Sequence, residues 1–155
     1  MSRLQAGARR SYAVRTSTIH GRGVFAAASI RKGSRIIEYR GERIDEAEFD
    51  RRYAGVDESS THTMLFWVEG DQYIDATRIG NSARWINHSC SPNAETVDED
   101  GRIFVEAIRD IRPGEEITYD YNLFLDEPHT PAAKRAHPCF CGSARCRGTL
   151  LGAKP

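Results

Sequence analysis

Three of the four cysteines, Cys139, Cys141 and Cys146, stand together near the end of the chain in the spacing C-x-C-x4-C. The fourth, Cys90, lies in ARWINHSCSPNA, beside the pair Asn87-His88. Cysteines one residue apart on an extended chain are badly placed for a disulfide. Three thiolates converging on a small loop suit tetrahedral zinc, which takes four ligands. The fourth ligand is Cys90, the only other cysteine, or His137, which is closer along the chain; the bland alternative is four free or buried thiols. Cys90 is the expectation. Such a site is closed, so the metal staples the tail onto the Asn-His loop and leaves no open position for catalysis.

Two further groups of residues could do chemistry. IHGRGVF contains Gly21-Arg22-Gly23, which on its own is a tight turn. It lacks the third glycine and the strand-helix context of a dinucleotide site, but glycines also let a backbone come close to a ligand. EYRGE supplies Tyr39, and TYDY supplies Tyr119 and Tyr121, which share one face of a strand. Aromatic residues spaced by two are ordinarily core. Several hydroxyl-bearing rings around one space could instead line a narrow tunnel with polar handles.

The elements that must position these groups are short strands between turn signals. SYAVRTS alternates, GVFAAASI follows a glycine bend, and SRIIEYRG predicts a strand ending at Gly41. DEAEFDRRY is the best helix, with Asp45 as cap and Glu48 three residues on, as in a capping box. TMLFWV and QYIDA read as strands around EGD, and NSARWI as one or two helical turns. GRIFVEAI and EEITYDY read as strands separated by the Pro113-Gly114 turn. Glu95 to Asp100 is an acidic turn, and residues 123–136 form a mobile connector rich in proline. The expectation is a mainly β chain with little helix and a cysteine-rich tail.

Composition bounds the function. The chain has 155 residues, 39% hydrophobic and 28% charged, which suits one globular domain. Its 22 basic and 22 acidic side chains cancel. A duplex nucleic acid partner would call for a basic excess, so no direct nucleic acid contact is expected. Arg3, Arg9 and Arg10 read as solvated surface. The apolar run VFAAASI is too short to cross a bilayer. No membrane partner is expected, and a reducing, cytoplasmic setting is the default.

Taken together, IHGRGVFAAASIRKG, IIEYRGERI, YIDATRIGNSARWINHSCSPNA, IRDIRPGEEITYDYN and CFCGSARCRGTLL resemble, in order, the segments of the SET domain family of protein lysine methyltransferases. The resemblance implies a β-clip fold of small curved sheets with a C-terminal pseudoknot, in which Asn87-His88 and Tyr121 meet. It implies a SET domain over 12–122, a connector over 123–136 and a post-SET zinc segment over 137–151, with Cys90 as the fourth ligand. With no cysteine cluster ahead of the first strand, a minimal stand-alone unit is expected, monomeric or homodimeric.

The family's reaction moves a methyl group from S-adenosyl-L-methionine to a lysine amine. By resemblance Tyr121 is the main catalytic tyrosine, with Tyr39 and Tyr119 lining the lysine channel. The cofactor would lie across His20, Gly21, Arg22 and Gly23. Arg84 would pair with its carboxylate, Trp85 would pack beside it, and Asn87 and His88 would meet its amino group and adenine, with Tyr121 and Leu151 also in contact. Tyr at position 119 implies mono- or dimethylation. Three departures bear on cofactor affinity: Met64 where relatives have Tyr, Trp85 for Phe, and Leu151 for a large aromatic residue. Asp75 is expected to be structural.

The resulting expectation is a protein-lysine N-methyltransferase whose partner is a protein or peptide, a histone tail among the candidates, bound as an added strand on an exposed edge near the helix and Tyr119. A histone target would put it in the nucleus or on the chromosome. The alternatives are a catalytically weak SET fold that binds peptide or cofactor, a zinc-stabilised nucleic-acid-binding domain, and methylation of a small molecule.

Overall fold

The computed structural model describes residues 10–56 and 64–153. Arg3, Arg9 and the opening Thr63 of TMLFWV lie outside them, and Arg10 is exposed. Along the chain run β1 (Tyr12–Thr16), β2 (Arg22–Ala26), β3 (Arg35–Tyr39), β4 (Gly41–Asp45), α1 (Glu46–Tyr53), β5 (Leu65–Val68) and β6 (Gln72–Gly80). A 3-10 turn at Ser82–Trp85 leads into β7 (Asn87–His88), β8 (Ala94–Glu99), β9 (Arg102–Ala107), β10 (Glu116–Tyr119) and α2 (Pro131–Ala136).

The strands form three small sheets, in the orders β1-β2-β10-β7, β3-β9-β8 and β4-β6-β5. The fold is mainly β. The last strand, β10, sits inside its sheet, antiparallel to β2 and parallel to the two-residue β7, with Thr118 opposite Asn87 and Tyr119 opposite His88. Apolar side chains from all three sheets meet in one core, including Val24, Ile37, Ile74, Val105 and Ile117, and Tyr39 and Tyr119 belong to it.

Helix α1 starts where its cap requires. The Glu48 N–H donates to the Asp45 carboxylate at 2.8 Å. The reciprocal half of the capping box is missing, because the Glu48 carboxylate turns to Arg51 and Arg52. Buried Asp75 then ties the helix to β6, accepting from Arg52 at 3.0 Å and from the Tyr53 hydroxyl at 2.8 Å. Its bonds all run to neighbours within the fold.

Three local expectations are corrected. The strand of SRIIEYRG stops at Tyr39, and Gly41 opens β4 in a different sheet. A Cβ at Gly41 would come within 2.5 Å of the Asp75 carbonyl oxygen, so only glycine lets β4 lie this close to β6. The acidic run is not a turn: Ala94–Glu99 is β8, with Glu99 paired to Arg35, and the turn falls at Asp100-Gly101, both with positive φ. Residues 123–136 are not a loose connector. Pro131 begins α2, and the Thr130 hydroxyl accepts from the Ala133 N–H at 3.1 Å. Leu123 bridges Leu151, and His129 joins the Leu125 N–H to the Gly152 carbonyl.

Candidate functional site

The parallel contact of β7 with β10 brings Asn87-His88 against the tyrosine strand. The Tyr121 N–H donates to Nδ1 of His88 at 2.9 Å. With Nδ1 as acceptor, the ring proton sits on Nε2, which lies 3.3 Å from the Cys90 sulfur. Burial dominates the electrostatics of this ring; the opposing pull of Asp120 is weaker, and the His88 pKa falls to about 4, so the ring is neutral. Both ring nitrogens are therefore engaged within the protein. A cofactor contact from His88 would come through its backbone.

The cysteine sulfurs of Cys90, Cys139, Cys141 and Cys146 all lie within 4.8 Å of one another. Bonds of about 2.3 Å to a tetrahedral zinc put sulfurs about 3.8 Å apart, and Cys90 and Cys139 stand at 3.7 Å. Backbone N–H groups point at the sulfurs: Arg147 to Cys90 at 3.3 Å, Cys141 to Cys139 at 3.4 Å and Gly148 to Cys146 at 3.3 Å. Such donors suit thiolates, so the four residues fit a closed zinc site. His137 is not one of the four; its Nδ1 is hydrogen-bonded to the Ala133 carbonyl at 3.0 Å.

The three tyrosines are linked through ring contacts. Tyr119 and Tyr121 have centroids 5.1 Å apart, and Phe66 touches Tyr39 at 4.6 Å and Tyr119 at 6.0 Å. The Tyr121 hydroxyl donates to the Ile86 carbonyl at 2.5 Å. Burial raises all three phenols above their ordinary range, so they are neutral near neutral pH. The Tyr39 hydroxyl is buried and has no hydrogen-bond partner among the described residues. A buried hydroxyl left open costs stability unless a ligand or water meets it.

The glycine turn lies beside Asn87. Gly21 has φ +42°, and its carbonyl accepts from the Ser17 N–H at 2.8 Å. The Asn87 amide donates to the carbonyls of His20 at 3.1 Å and Arg22 at 2.9 Å. Trp85 has the guanidinium of Arg22 at 5.4 Å and that of Arg84 at 4.8 Å from its ring centroid. Nε of Arg84 is the other buried polar atom with no partner among the described residues. An open guanidinium N–H and closely approachable glycine backbone fit a small ligand carrying a carboxylate.

Asn87 and Trp85 thus gather His20, Arg22 and Arg84, with Gly21 and Gly23 flanking Arg22 in the same turn; the rings of Tyr39, Tyr119 and Tyr121 are linked directly or through Phe66, and His88 joins Tyr121 to Cys90. Met64 packs half-buried against the core. Leu151 is buried beneath its bridge to Leu123, covered by the protein itself. Sequence reading missed Ser17 and Glu116, which meet at 2.8 Å, and the Asp120–Arg147 pair, which closes at 2.6 Å. Nothing local marks these side chains, because their partners are distant in sequence.

Comparison with known proteins follows the same map. The SET domain matches residues 21–122. The histone-lysine N-methyltransferase of Schizosaccharomyces pombe described as H3 lysine-4 specific is 42% identical over 139 residues, 86% of this chain and 14% of its own length. The histone-lysine N-methyltransferase ash1 of Drosophila melanogaster is 39% identical over 136 residues, 85% of this chain and 6% of its own. TRX1 of Oryza sativa subsp. japonica, also a histone-lysine N-methyltransferase, is 39% identical over 153 residues, 95% of this chain and 14% of its own. The chain therefore spans only a small part of the length of these relatives. With the family matched over more than half of its residues, the chain belongs to the SET domain family.

Proposed function

We propose that this chain transfers a methyl group from S-adenosyl-L-methionine to a lysine side-chain amine of a protein. The observation that carries the reading is the buried Tyr39 hydroxyl, without a partner among the described residues and set among linked, neutral phenols. When bound, S-adenosyl-L-methionine supplies an electrophilic methyl on a positively charged sulfur. His20, Gly21, Arg22, Gly23, Arg84, Trp85 and Asn87 would hold it, with the backbone of His88 at its edge; Leu151, covered by the protein itself, stays outside this set.

The protein's own groups supply the rest. A lysine ammonium has no lone pair, and a desolvated channel lowers its pKa so that it enters as the amine. Neutral phenols cannot act as bases; their oxygens accept amine N–H bonds instead. Tyr121 spends its proton on Ile86, which leaves its oxygen lone pairs as acceptors. Alignment of amine and methyl contributes about 7 kcal/mol or more by effective-molarity arguments. The hydroxyl of Tyr119 crowds a bulkier amine, which supports mono- or dimethylation.

Zinc on Cys90, Cys139, Cys141 and Cys146 would fix the tail to this centre. Strand β5 lies at a sheet edge and carries Phe66 to the tyrosines, so it offers the place for an added substrate strand. The names of the relatives make a histone tail the first substrate to try. A histone target would place the enzyme on chromatin, another protein target in the cytoplasm.

The test is transfer of labelled methyl from S-adenosyl-L-methionine to histones and to total cell protein, with Tyr121→Phe alongside. Label on a protein lysine that the variant loses is the expected result, with mono- and dimethyl-lysine as products. Cofactor binding without transfer to any protein would sink the reading.

A further inference from the structure

The β1–β2 turn and Asn87 are joined by one carboxylate that the chemistry above leaves unused. Glu116, at the start of β10, receives the Ser17 hydroxyl, which stands 2.8 Å from both of its oxygens. Its Oε1 also accepts from the Asn87 amide at 2.8 Å. The Ser17 oxygen in turn accepts from the Ile19 N–H at 3.0 Å, and the Ser17 N–H reaches the Gly21 carbonyl at 2.8 Å. The acceptors on the Asn87 amide nitrogen are thus the carbonyls of His20 and Arg22 and the Glu116 carboxylate. A flipped amide would set an oxygen against all of them, so its orientation is fixed and Oδ1 is kept as an acceptor.

Gly23 completes the arrangement. A Cβ there would lie 2.2 Å from Oε1 of Glu116. The carboxylate fills the space where a side chain at position 23 would be, so any larger residue there must displace Glu116 from Ser17 and Asn87.

We propose that Glu116 is a positioning residue of the methyl-donor site, holding the glycine turn and the Asn87 amide as one preset unit and placing a negative charge beside a site for a cationic ligand. The proposal rests on the methyltransferase reading above. The same charge adds to burial in keeping the Tyr121 phenol protonated.

The test is calorimetric binding of S-adenosyl-L-methionine to the full chain, with KM measured for both substrates. Glu116→Ala should weaken cofactor binding at least about tenfold, the value of a charge-assisted hydrogen bond, and raise the KM for cofactor while leaving that for peptide unchanged. Glu116→Gln, which keeps the shape, should weaken binding about threefold with an unchanged melting temperature. Gly23→Ala should destabilise the native chain but cost much less in the Glu116→Ala background, where the clash is gone. If the wild-type chain binds cofactor and both Glu116 variants bind it equally well, the positioning role is wrong and the methyltransferase reading stands. If the wild-type chain binds no S-adenosyl-L-methionine, both fall.

Discussion

The backbone N–H of Tyr121 donates to Nδ1 of His88 at 2.9 Å. That bond turns the other ring nitrogen, with its proton, toward the Cys90 sulfur at 3.3 Å. One neutral imidazole therefore fixes the backbone of the proposed catalytic tyrosine and supports a sulfur of the proposed zinc site. Groups of this kind orient a metal's ligands, and their loss costs about 10–100-fold in metal affinity or activity. His88→Ala should release zinc to a chelator faster than the wild type and lower methyl transfer. Cys90→Ser should lower zinc content below one ion per chain. An unchanged zinc release rate in His88→Ala would separate the two sites.

Tyr39 makes the opposite kind of prediction. Its hydroxyl is buried and open, at a cost of about 1–3 kcal/mol. Tyr39→Phe keeps the ring and its contact with Phe66 and removes the open group. The free protein should become more stable by about 1 kcal/mol in urea unfolding, while transfer falls or its product distribution shifts. A loss of stability would mean that the hydroxyl is already satisfied and that no channel wall is held open there.

The strands, the capped helix and the cysteine set were legible because each depends on nearby residues: the alternation in SYAVRTS, the Asp45 cap, the spacing of Cys139 and Cys141. The grouping of Cys90 with the tail cysteines, whose sulfurs do come together, was legible by elimination and by family pattern. The stop at Tyr39 and the start of β4 at Gly41 were not, since they follow from the approach of β6, which no local pattern announces. Helix α2 was hidden by its own start signal, as Thr130-Pro131 inside a proline-rich stretch reads as a break. Glu116, Ser17 and Arg147 were invisible for a related reason. Their roles exist only after folding brings partners such as Ser17 and Glu116, 99 residues apart, into contact.

Asp75 tests how far the helix supports the site. It is 1% exposed and receives Arg52, Tyr53 and the Thr77 N–H. Asp75→Ala strands a partly buried guanidinium, although Glu42 and Glu48 still hold it. Those remaining carboxylates keep the guanidinium paired, so stability in urea unfolding should fall by less than when a fully buried ion pair is broken. Methyl transfer per folded molecule should survive better than in Tyr121→Phe. A variant of full stability but no activity would give Asp75 a chemical role that the structure does not assign.

The buried phenols set the alkaline behaviour. Burial raises Tyr39, Tyr119 and Tyr121 above the ordinary value of about 10. A group whose folded pKa lies above its unfolded one stabilises fully below the unfolded value, and the contribution is lost as pH rises beyond it. Above about pH 10 the unfolded chain releases these protons and the folded chain keeps them, so stability falls by up to about 4 kcal/mol per pH unit for three groups. Below that point the phenols add no slope. Methyl transfer should therefore climb from about pH 7 to about pH 9 as substrate amine deprotonates, with no downturn from phenol ionisation. Tyr39→Phe should make the alkaline loss of stability shallower by one proton's worth. The measurements are urea unfolding and phenolate absorbance across the alkaline range. A native chain whose buried tyrosines ionise at ordinary pH, or a rate that falls before pH reaches about 9 without unfolding, would mean that these rings face water and do not form a desolvated channel.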